Sequence, residues 1–335
     1  MSTEKRNENF MLKQSRYSKG KKNVKQYSKN NASKKSGSGK NSYNAYYKKN
    51  DDGFQPKSNG KSNYGKKKYP SKSKGYPKKN AQKPSIKIAF LGGLNEIGKN
   101  ITLVECENDI IIIDCGMAFP DGDMLGVDLV IPDFTYIEQN ADRVKGIILT
   151  HGHEDHIGGL PFLLSKVNVP IYGTPLTLGL VGNKLKEHSL YNQSQLNVIN
   201  AGQSMKLGCM KIDFIHVNHS IPDAVAFAIH TPGGTIVHTG DFKIDCTPIT
   251  GDMIDLSSFA RVGDEGVLAL LSESTNAERP GYTPTERTVS DSLDNLFKSA
   301  ENYRIIIATF ASNVNRVQQI IDCAEKYGRK VAFSG

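Results

Sequence analysis

Residues 150–156 read Thr150-His151-Gly152-His153-Glu154-Asp155-His156 and place three imidazoles and two carboxylates within six positions. The apolar run 144–149 precedes them and is typical of a buried strand, whereas 157–164 has the pattern of a beginning helix. The cluster is therefore predicted on a loop at the carboxyl end of a strand, where α/β proteins tend to place their chemistry.

The composition of this loop predicts a metal site. Imidazole and carboxylate groups are ligands that suit zinc and similar transition ions. The spacing lets His151 and His153 bind one ion while Asp155 and His156 turn toward a second. So many polar groups placed together would be hard to satisfy by hydrogen bonds within the protein alone.

Two later segments each offer one inward ligand from a strand end, namely His219 and Asp241. A carboxylate such as Asp241 can bridge two ions and hold them roughly 3.5–4 Å apart, the separation used for hydrolysis. Such a pair lowers the pKa of a shared water and stabilises the negative charge that grows on substrate oxygens.

Asp114 ends a predicted strand and is a candidate to orient a liganding histidine through a hydrogen bond. The other histidines are assigned structural roles. His188 is predicted on a solvated helix and His230 at a turn, while His216 and His238 lie near the predicted ligands.

Charge divides the chain into two unlike segments. Residues 1–84 carry 24 Lys and Arg against 4 Asp and Glu, whereas 85–335 carry 19 against 30. The first segment is rich in Lys, Asn, Ser, Gly and Tyr and nearly lacks aliphatic residues, so it is predicted to be disordered. The second is long enough for one large α/β domain or one and a half smaller ones.

Lysines and tyrosines are interleaved in this tail, as in Lys66-Lys67-Lys68-Tyr69. Lysine neutralises phosphate and releases counterions, and tyrosine offers a face on which unpaired bases stack. The tail is therefore predicted to bind RNA, with a solubilising or membrane-surface role as the alternative. Beside an acidic body, a basic arm should raise the encounter rate with a polyanionic substrate.

The cysteines indicate a reducing compartment. Their count is odd, they show no paired spacing, and no secretory leader precedes them. No apolar run approaches the length of a membrane span, so a cytoplasmic protein without a membrane partner is expected. The five are Cys106, Cys115, Cys209, Cys246 and Cys323.

Strand patterns dominate the segment before residue 284. Residues 85–93 predict an opening strand, and 101–106 with 110–116 predict a hairpin. Further apolar runs follow at wider spacing with helical patterns between them. This order predicts an α/β fold with a two-sheet β core and helices outside.

Beyond Thr283 the pattern changes to a βαβ unit, expected to be right-handed and parallel. A helix is predicted at about 285–301 and another at about 313–327. Strands are predicted at 305–310 and 330–333. Gly335 follows the last of these directly, so we expect this domain to be cut short.

The His151–His156 motif with His219 and Asp241 resembles the metallo-β-lactamase superfamily, whose fold is an αββα sandwich with two zinc ions at one edge of its sheets. The resemblance implies that these residues bind the two zinc ions, with the set of ligands complete for the first ion only. They are His151, His153 and His219 on one zinc ion, Asp155 and His156 on the other, and Asp241 as the bridge.

The flanking segments resemble one family within that superfamily, ribonuclease J. They are 92–100, with the sequence Gly-Gly-Leu-Asn-Glu-Ile-Gly-Lys-Asn, then 119–121, 126–133, 219–224 and 238–243. Residues 273–284 resemble the start of the β-CASP domain of nucleic-acid-processing members. Glu273 matches the first acidic motif of that domain, which lies near the metals.

The resemblance implies zinc-dependent hydrolysis of RNA phosphodiesters, both endonucleolytic and 5′-to-3′ exonucleolytic, in rRNA processing and mRNA decay. Asp155, Asp241 and Glu273 are the implied catalytic residues. RNA is the implied partner, with a homo-oligomer for the full-length protein and an RNA helicase or the ribosome as further partners. The implied domains are the tail at 1–84, an incomplete metallo-β-lactamase domain at 85–283 and the start of β-CASP at 284–335.

The chain also departs from the family pattern. The histidine that protonates the leaving group and the last histidine of the second zinc are expected downstream, and relatives often carry His where Asn315 stands. The chain is therefore expected to be truncated and weakly active or inactive alone. The alternative is a non-catalytic fragment that binds metal or RNA, and reading the gene beyond codon 335 separates the two. A small-molecule metallohydrolase would explain neither the tail nor the β-CASP segment.

Overall fold

The computed structural model of the protein describes residues 83–334, so nearly all of the predicted tail, including Lys66, Lys67, Lys68 and Tyr69, lies outside the described residues. The strands are β1 Ile86–Gly92, β2 Ile101–Cys106, β3 Asp109–Ile113, β4 Val144–Ile148, β5 Ile171–Gly173, β6 Leu196–Val198, β7 Ser204–Leu207, β8 Met210–His216, β9 Val225–Thr231, β10 Gly234–His238 and β11 Ala269–Leu271. The helices are α1 Thr135–Gln139, α2 Glu154–Ile157, α3 Leu160–Leu164, α4 Pro175–Glu187, α5 Leu256–Glu265, α6 Glu286–Ser299 and α7 Val314–Lys326.

The strands form two sheets. The first has the order β1-β2-β3-β4-β5-β6 and the second the order β11-β10-β9-β8-β7. β1, β2 and β3 are joined antiparallel, as the predicted hairpin requires, and β3 through β6 run parallel. In the second sheet β7 to β10 alternate in direction, and β11 runs parallel to β10.

The isoleucine run of β3 shows why the sheets pack face to face. Successive side chains of a strand point to opposite faces, so a strand that is buried on both faces needs an unbroken apolar run. Ile111 and Ile113 pack against the second sheet, in a core that includes Phe227. Ile110 and Ile112 point the other way, into a core that is closed by helices.

Helices cover the outer faces of both sheets. α3 and α4 contribute Leu163 and Val181 to the core outside the first sheet. α5 contributes Val262 to the core outside the second sheet, where Ala226 and Ala228 of β9 make room for it. The layers are helix, sheet, sheet and helix, so the predicted αββα sandwich is confirmed.

The predicted βαβ unit is present only as its two helices. α6 and α7 lie within the predicted ranges and pack on each other through Leu293, Phe297 and Cys323. Residues 305–310 and 330–333 carry no strand ladder within the described chain. A parallel pair without a third strand beside it is marginally stable, whereas a helix satisfies its backbone hydrogen bonds alone.

Asp245 joins the sandwich to α6. Its side chain is buried, accepts hydrogen bonds from the backbone N–H groups of Thr247 and Glu286 at 3.0 Å each, and lies 3.5 Å from the Lys243 ammonium. Burial would raise the pKa of Asp245, but the Thr285 hydroxyl, the two backbone donors and the lysine charge outweigh it and lower the pKa to about 2. The ionised carboxylate therefore stabilises the start of α6.

We predict that Asp245→Asn lowers the free energy of unfolding by about 2 kcal/mol at pH 7, since each pKa unit is worth about 1.4 kcal/mol. Because the folded pKa lies below the unfolded one, this stability is present above about pH 4 and is lost as the pH falls toward about 2. Urea unfolding of both proteins at pH 7 and pH 3 measures the difference, which should shrink at pH 3. Asp264→Asn, an exposed position on α5, is the control. A difference independent of pH would contradict the prediction.

None of the helices within residues 83–334 has the length and apolar character needed to cross a membrane.

Candidate metal centre

The candidate centre lies where the carboxyl ends of several strands meet. The 150–156 segment follows β4, and Asp114 follows β3, which is parallel to β4. Residues 150–153 form the predicted loop, whereas Asp155 and His156 lie in α2, which begins at Glu154. In the second sheet β8 and β10 are both antiparallel to β9, so His219 and Asp241 leave the sheet at the same edge. Topology therefore brings together residues that lie far apart in the chain.

Backbone hydrogen bonds from Asn100 and Cys115 hold the 150–156 segment in place. The backbone N–H of Cys115 donates to the His156 carbonyl at 2.8 Å, and that of Asn100 donates to the Asp155 carbonyl at 3.0 Å. Gly116 lies between these contacts, where a Cβ atom would stand 1.6 Å from the Asp155 carbonyl oxygen. Only glycine lets the two segments touch here.

Three imidazoles converge to form the first cluster: His151, His153 and His219. Nδ1 of His153 lies 3.1 Å from Nε2 of His151 and 3.2 Å from Nε2 of His219. Two parts of the chain hold these residues: His151 and His153 lie between β4 and α2, and His219 follows β8.

Hydrogen bonds on the far side of the rings determine which nitrogen faces the cluster. The hydroxyl of Thr150 donates to Asp114 at 2.7 Å, so it can only accept from Nδ1–H of His151 at 3.0 Å. Nε2–H of His153 donates to the Ser312 carbonyl at 3.2 Å. His151 therefore turns an unprotonated Nε2 inward, and His153 an unprotonated Nδ1.

This arrangement fits a divalent metal ion. The unprotonated Nε2 of His151 and Nδ1 of His153 cannot donate hydrogen bonds to one another, so their approach to 3.1 Å is favourable only around a cation. Around a tetrahedral zinc ion with bonds of about 2.0–2.1 Å, neighbouring nitrogens would stand about 3.3 Å apart. The nitrogen separations of 3.1 and 3.2 Å in the cluster are close to that value.

A second cluster shares the site and contains His151, His156 and Asp241. Oδ1 of Asp241 lies 3.5 Å from Nε2 of His156, and its Oδ2 lies 3.7 Å from Nε2 of His219. The two oxygens of Asp241 thus face the two clusters, as a bridging carboxylate requires. Oδ2 of Asp155 is 3.5 Å from Nε2 of His156, at the outer side of the second cluster.

Asp114 supports both clusters from below. It is buried and adopts φ of 59°, a left-handed conformation that Asp tolerates better than most residues. Its Oδ1 accepts from the Thr150 N–H at 2.8 Å, and its Oδ2 accepts from Nδ1–H of His156 at 2.7 Å. The Asp114 carboxylate therefore contacts His156 directly and His151 through Thr150.

The electrostatics favour cation binding. Burial, and then the neighbouring histidines, hold the pKa of His151 well below its usual value. Burial likewise lowers the pKa of His219 to about 4. For Asp241, burial opposes ionisation, but the hydrogen bond and charge of His156 prevail and lower its pKa to about 2. At neutral pH the imidazoles of His151 and His219 are therefore neutral, and the carboxylate of Asp241 is ionised.

His156 has the opposite tendency. Burial disfavours its charged form, but the charge and hydrogen bond of Asp114, together with those of Asp241, hold the pKa of His156 well above its usual value. A carboxylate on each side thus makes this position attractive to positive charge.

Glu273 lies on the wall of an adjoining cavity of about 860 Å³, which His219 and Asp241 also line. Its backbone N–H donates to the Thr239 hydroxyl at 3.2 Å, and its carboxylate accepts from the Thr275 N–H at 2.7 Å. Burial raises the pKa of Glu273, and the charge of Asp241 raises it further. Glu273 shares this cavity wall with His219 and Asp241 and belongs to neither cluster.

Three residues contact the clusters without having been singled out for this role. The Asn100 amide nitrogen lies 3.1 Å from Nε2 of His156 and 3.3 Å from Oδ2 of Asp155. The Asn315 amide donates to the His219 carbonyl at 3.2 Å. Ser312, which binds His153, and Asn315 precede or begin α7. These contacts span 55 to 159 positions along the chain, so no local pattern announces them.

The remaining histidines have structural contacts. His188 is exposed at the end of α4, as predicted, with its ring edge-on to Phe162 at 5.5 Å. His230 is not at a turn: it lies in β9, and its Nε2 is 3.0 Å from Asp213. β9 continues to Thr231, so the Pro232-Gly233 turn begins after this histidine. His216 donates to the Asp252 carbonyl at 3.1 Å, and His238 accepts from the Gly240 N–H at 3.1 Å.

We predict that Asp114→Asn weakens binding of divalent ions by about 10- to 100-fold, the usual effect of losing an orienting carboxylate. Both carboxylate oxygens of Asp114 accept hydrogen bonds, Oδ1 from the Thr150 N–H and Oδ2 from the Thr150 hydroxyl and His156, so the NH2 group of an amide would face a donor in either orientation. Calorimetric titration with zinc measures the change. Asp109→Asn, which alters the carboxylate at the opposite end of β3, should leave the zinc affinity unchanged. Equal affinities for wild type and Asp114→Asn would contradict this role.

The αββα fold and the two adjacent ligand clusters place the protein in the class of αββα proteins that bind metal ions at the edge of their sheets. The sequence pattern of the metallo-beta-lactamase superfamily matches residues 94–283, and that of the ribonuclease J beta-CASP domain matches 302–335. The chain belongs to the metallo-beta-lactamase superfamily.

Curated relatives carry the ribonuclease J name. Ribonuclease J2 of Bacillus subtilis (strain 168) is 47% identical over 258 residues, which cover 77% of this chain and 46% of the relative. Ribonuclease J 1 of Streptococcus pyogenes serotype M3 is 49% identical over 250 residues, which cover 75% of this chain and 44% of the relative. The chain thus spans slightly less than half the length of these relatives.

Among solved structures, a protein of unknown function from Enterococcus faecalis V583 shares the fold, with a TM-score of 0.55 and 18% identity. The match covers 75% of this chain and 71% of that protein.

Proposed function

We propose that the protein is a zinc-dependent ribonuclease of the ribonuclease J type, which hydrolyses RNA phosphodiesters endonucleolytically and from the 5′ end. The observation that carries this proposal is the position of Asp241. Its two oxygens face two clusters of nitrogen ligands at the wall of an open cavity. RNA is proposed as the substrate because the relatives are ribonucleases J.

In this proposal His151, His153 and His219 hold one ion, Asp155 and His156 hold the other, and Asp241 lies between them. Two bound divalent ions would supply a more acidic water and neutralise the charge on the phosphoryl oxygens. The chain's own residues fix the geometry: Asp114 orients the rings from below, and Glu273 holds the loop that borders Asp241.

The two positions are not equally provided with ligands. The first ion position has three imidazoles, those of His151, His153 and His219. At the second position, on the side that faces Asp155, His156 supplies the one imidazole found among residues 83–334. We therefore propose that the 335-residue chain binds one ion more tightly than the other. We expect it to hydrolyse RNA weakly or not at all when it is assayed alone.

The experiment that tests the function uses the complete product of the gene, with residues 1–335 assayed beside it. The protein is stripped of metal with a chelator, reloaded with zinc, and given a 5′-monophosphorylated RNA. We expect cleavage by the complete product only after reloading. A complete product that holds two ions but never cleaves RNA would refute the ribonuclease and leave a metal-binding protein.

We further propose that residues 1–84 are an RNA-binding tail. Deleting them should weaken RNA binding about tenfold or more and flatten its dependence on salt, since each neutralised phosphate of a single strand contributes about 0.7 to the slope of log affinity against log salt. Replacing Lys66, Lys67 and Lys68 by glutamine should remove about 2 from that slope. Tyr69→Ala should lower affinity and leave the slope unchanged, because stacking is uncharged. An unchanged slope after deletion would contradict this assignment.

We also propose a cytoplasmic location and roles in rRNA processing and mRNA decay, with a homo-oligomer and an RNA helicase or the ribosome as partners. Free thiols at all five cysteines support a reducing compartment. The ribonuclease J relatives support the RNA roles.

A further inference from the structure

The cavity beside the metal centre has one wall that the proposed hydrolysis does not use. His219 and Asp241 line one side, and the loop of residues 274–284 lines the other. Arg279 and Tyr282 are the charged and aromatic side chains of that loop that face the cavity. Any substrate that reaches the metal ligands through this cavity passes them.

Tyr282 is presented to solvent without a packing partner. Its exposed fraction is 101%, the full exposure of an isolated side chain. The loop nevertheless has a defined path, because the N–H of Ala277 donates to the Ser274 carbonyl and that of Arg279 to the Asn276 carbonyl, each at 2.9 Å. Pro280 and Pro284 restrict the backbone on both sides of the tyrosine.

Arg279 has a free guanidinium. It forms no salt bridge and no side-chain hydrogen bond with any residue of the described chain, 83–334. This contrasts with Arg143 and Arg316, whose guanidinium groups are paired with glutamates. In residues 85–335, 30 acidic side chains outnumber 19 basic ones. An arginine near the metal ligands that has no carboxylate partner is therefore suited to bind a phosphate group.

We propose that Tyr282 is a stacking platform for one unpaired nucleobase of the substrate and that Arg279 binds a backbone phosphate next to it. An exposed aromatic face beside a cation is the combination with which proteins bind single strands independently of sequence. The bases of a duplex already have both faces covered, so the platform selects unpaired RNA. This inference rests on the proposed function for the identity of its ligand.

The chain contains no tryptophan, which makes a direct test possible. Tyr282→Trp introduces a single tryptophan at the platform, and a stacked base quenches indole fluorescence. Tyr303→Trp is the matched control, since Tyr303 is also exposed, at 73%, but does not line the cavity. Both proteins, as full chains loaded with zinc, are titrated with a six-nucleotide RNA whose 2′-O-methyl groups and phosphorothioates resist cleavage.

We expect the RNA to quench Tyr282→Trp by about half or more at saturation and Tyr303→Trp by less than about a tenth. An abasic oligomer of the same charge should quench neither, and a blunt duplex should quench Tyr282→Trp far less than the single strand. Equal quenching of the two proteins, or equal quenching of Tyr282→Trp by duplex and single strand, would overturn the proposal.

Affinity provides the second measurement. Tyr282→Ala should bind the same six-nucleotide RNA about 5- to 100-fold more weakly, whereas Tyr282→Phe should bind like wild type because the ring face is kept. Arg279→Gln should weaken binding and lower the salt slope by about 0.7. Zinc affinity should be the same in all three variants. Wild-type RNA affinity in Tyr282→Ala would overturn the platform.

The outcomes separate this inference from the proposed function. If RNA quenches the tryptophan at position 282 but the protein never cleaves RNA, the stacking platform is supported and the ribonuclease function is refuted. If the protein cleaves RNA in a metal-dependent way but RNA does not quench this tryptophan, the ribonuclease function is supported and the platform is refuted.

Discussion

Replacing Asp241 by alanine should abolish the second ion position, weaken the first, and lower RNA cleavage by the complete product about a thousandfold or more. Asp241 is the residue whose two oxygens face both clusters, at 3.5 Å from His156 and 3.7 Å from His219. Its removal takes away the bridging ligand and the negative charge that faces the imidazoles of both clusters. A thousandfold loss corresponds to about 4 kcal/mol of transition-state stabilisation, which is the scale of metal-ion catalysis.

Metal content and single-turnover cleavage measure the two effects separately. Asp252→Ala is the matched control, since that carboxylate is exposed and its residue contacts His216 only through its backbone carbonyl. It should keep both the ions and the activity. Asp241→Ala with two tightly bound ions would show that Asp241 is not the bridge.

Among glycine-to-alanine substitutions in the described chain, Gly116→Ala should be the most destabilising. It should lower the free energy of unfolding by about 3 kcal/mol or more. The added carbon would stand 1.6 Å from the Asp155 carbonyl oxygen, so one of the two backbones must move. The contacts from Asn100 and Cys115 to the metal loop would be lost with it. Zinc affinity should therefore fall together with stability.

Gly179→Ala provides the control for this substitution. Gly179 lies on the exposed face of α4, and a Cβ there would meet no atom within 4 Å. Alanine at that position should stabilise the protein by roughly 0.5–1 kcal/mol, the helix-propensity difference. Urea unfolding and zinc titration of the two variants compare them directly. A Gly116→Ala protein as stable as wild type would mean that the two segments do not touch.

The parts of the fold that could be predicted are those with a local periodic signal. The run Ile110–Ile113 was predicted as a strand of a hairpin, and the structure shows that strand with its side chains in two separate cores. α6 and α7 were predictable because a helix makes its hydrogen bonds locally. The strands expected at 305–310 and 330–333 did not form ladders, since strand pairing depends on partners elsewhere in the chain.

The same distinction applies to the candidate site. His151, His153, Asp155 and His156 are neighbours in sequence, so their composition alone indicated a metal site. Asn100 could not be found in this way, because its amide reaches His156 across 56 positions. The contact from Asn315 to the His219 carbonyl spans 96 positions and depends on how α7 packs against the sandwich.

The most direct test of the central claim is the position of the oxygen that water contributes to the product. The complete gene product, loaded with zinc, cleaves a defined RNA in ¹⁸O-labelled water, and the products are analysed by mass spectrometry. A metal centre that hydrolyses the phosphodiester directly predicts one ¹⁸O atom in a 5′-phosphate, with an unlabelled 3′-hydroxyl on the other fragment. A 2′,3′-cyclic phosphate, or cleavage that persists when His151, His153 and His219 are all replaced by alanine, would contradict it.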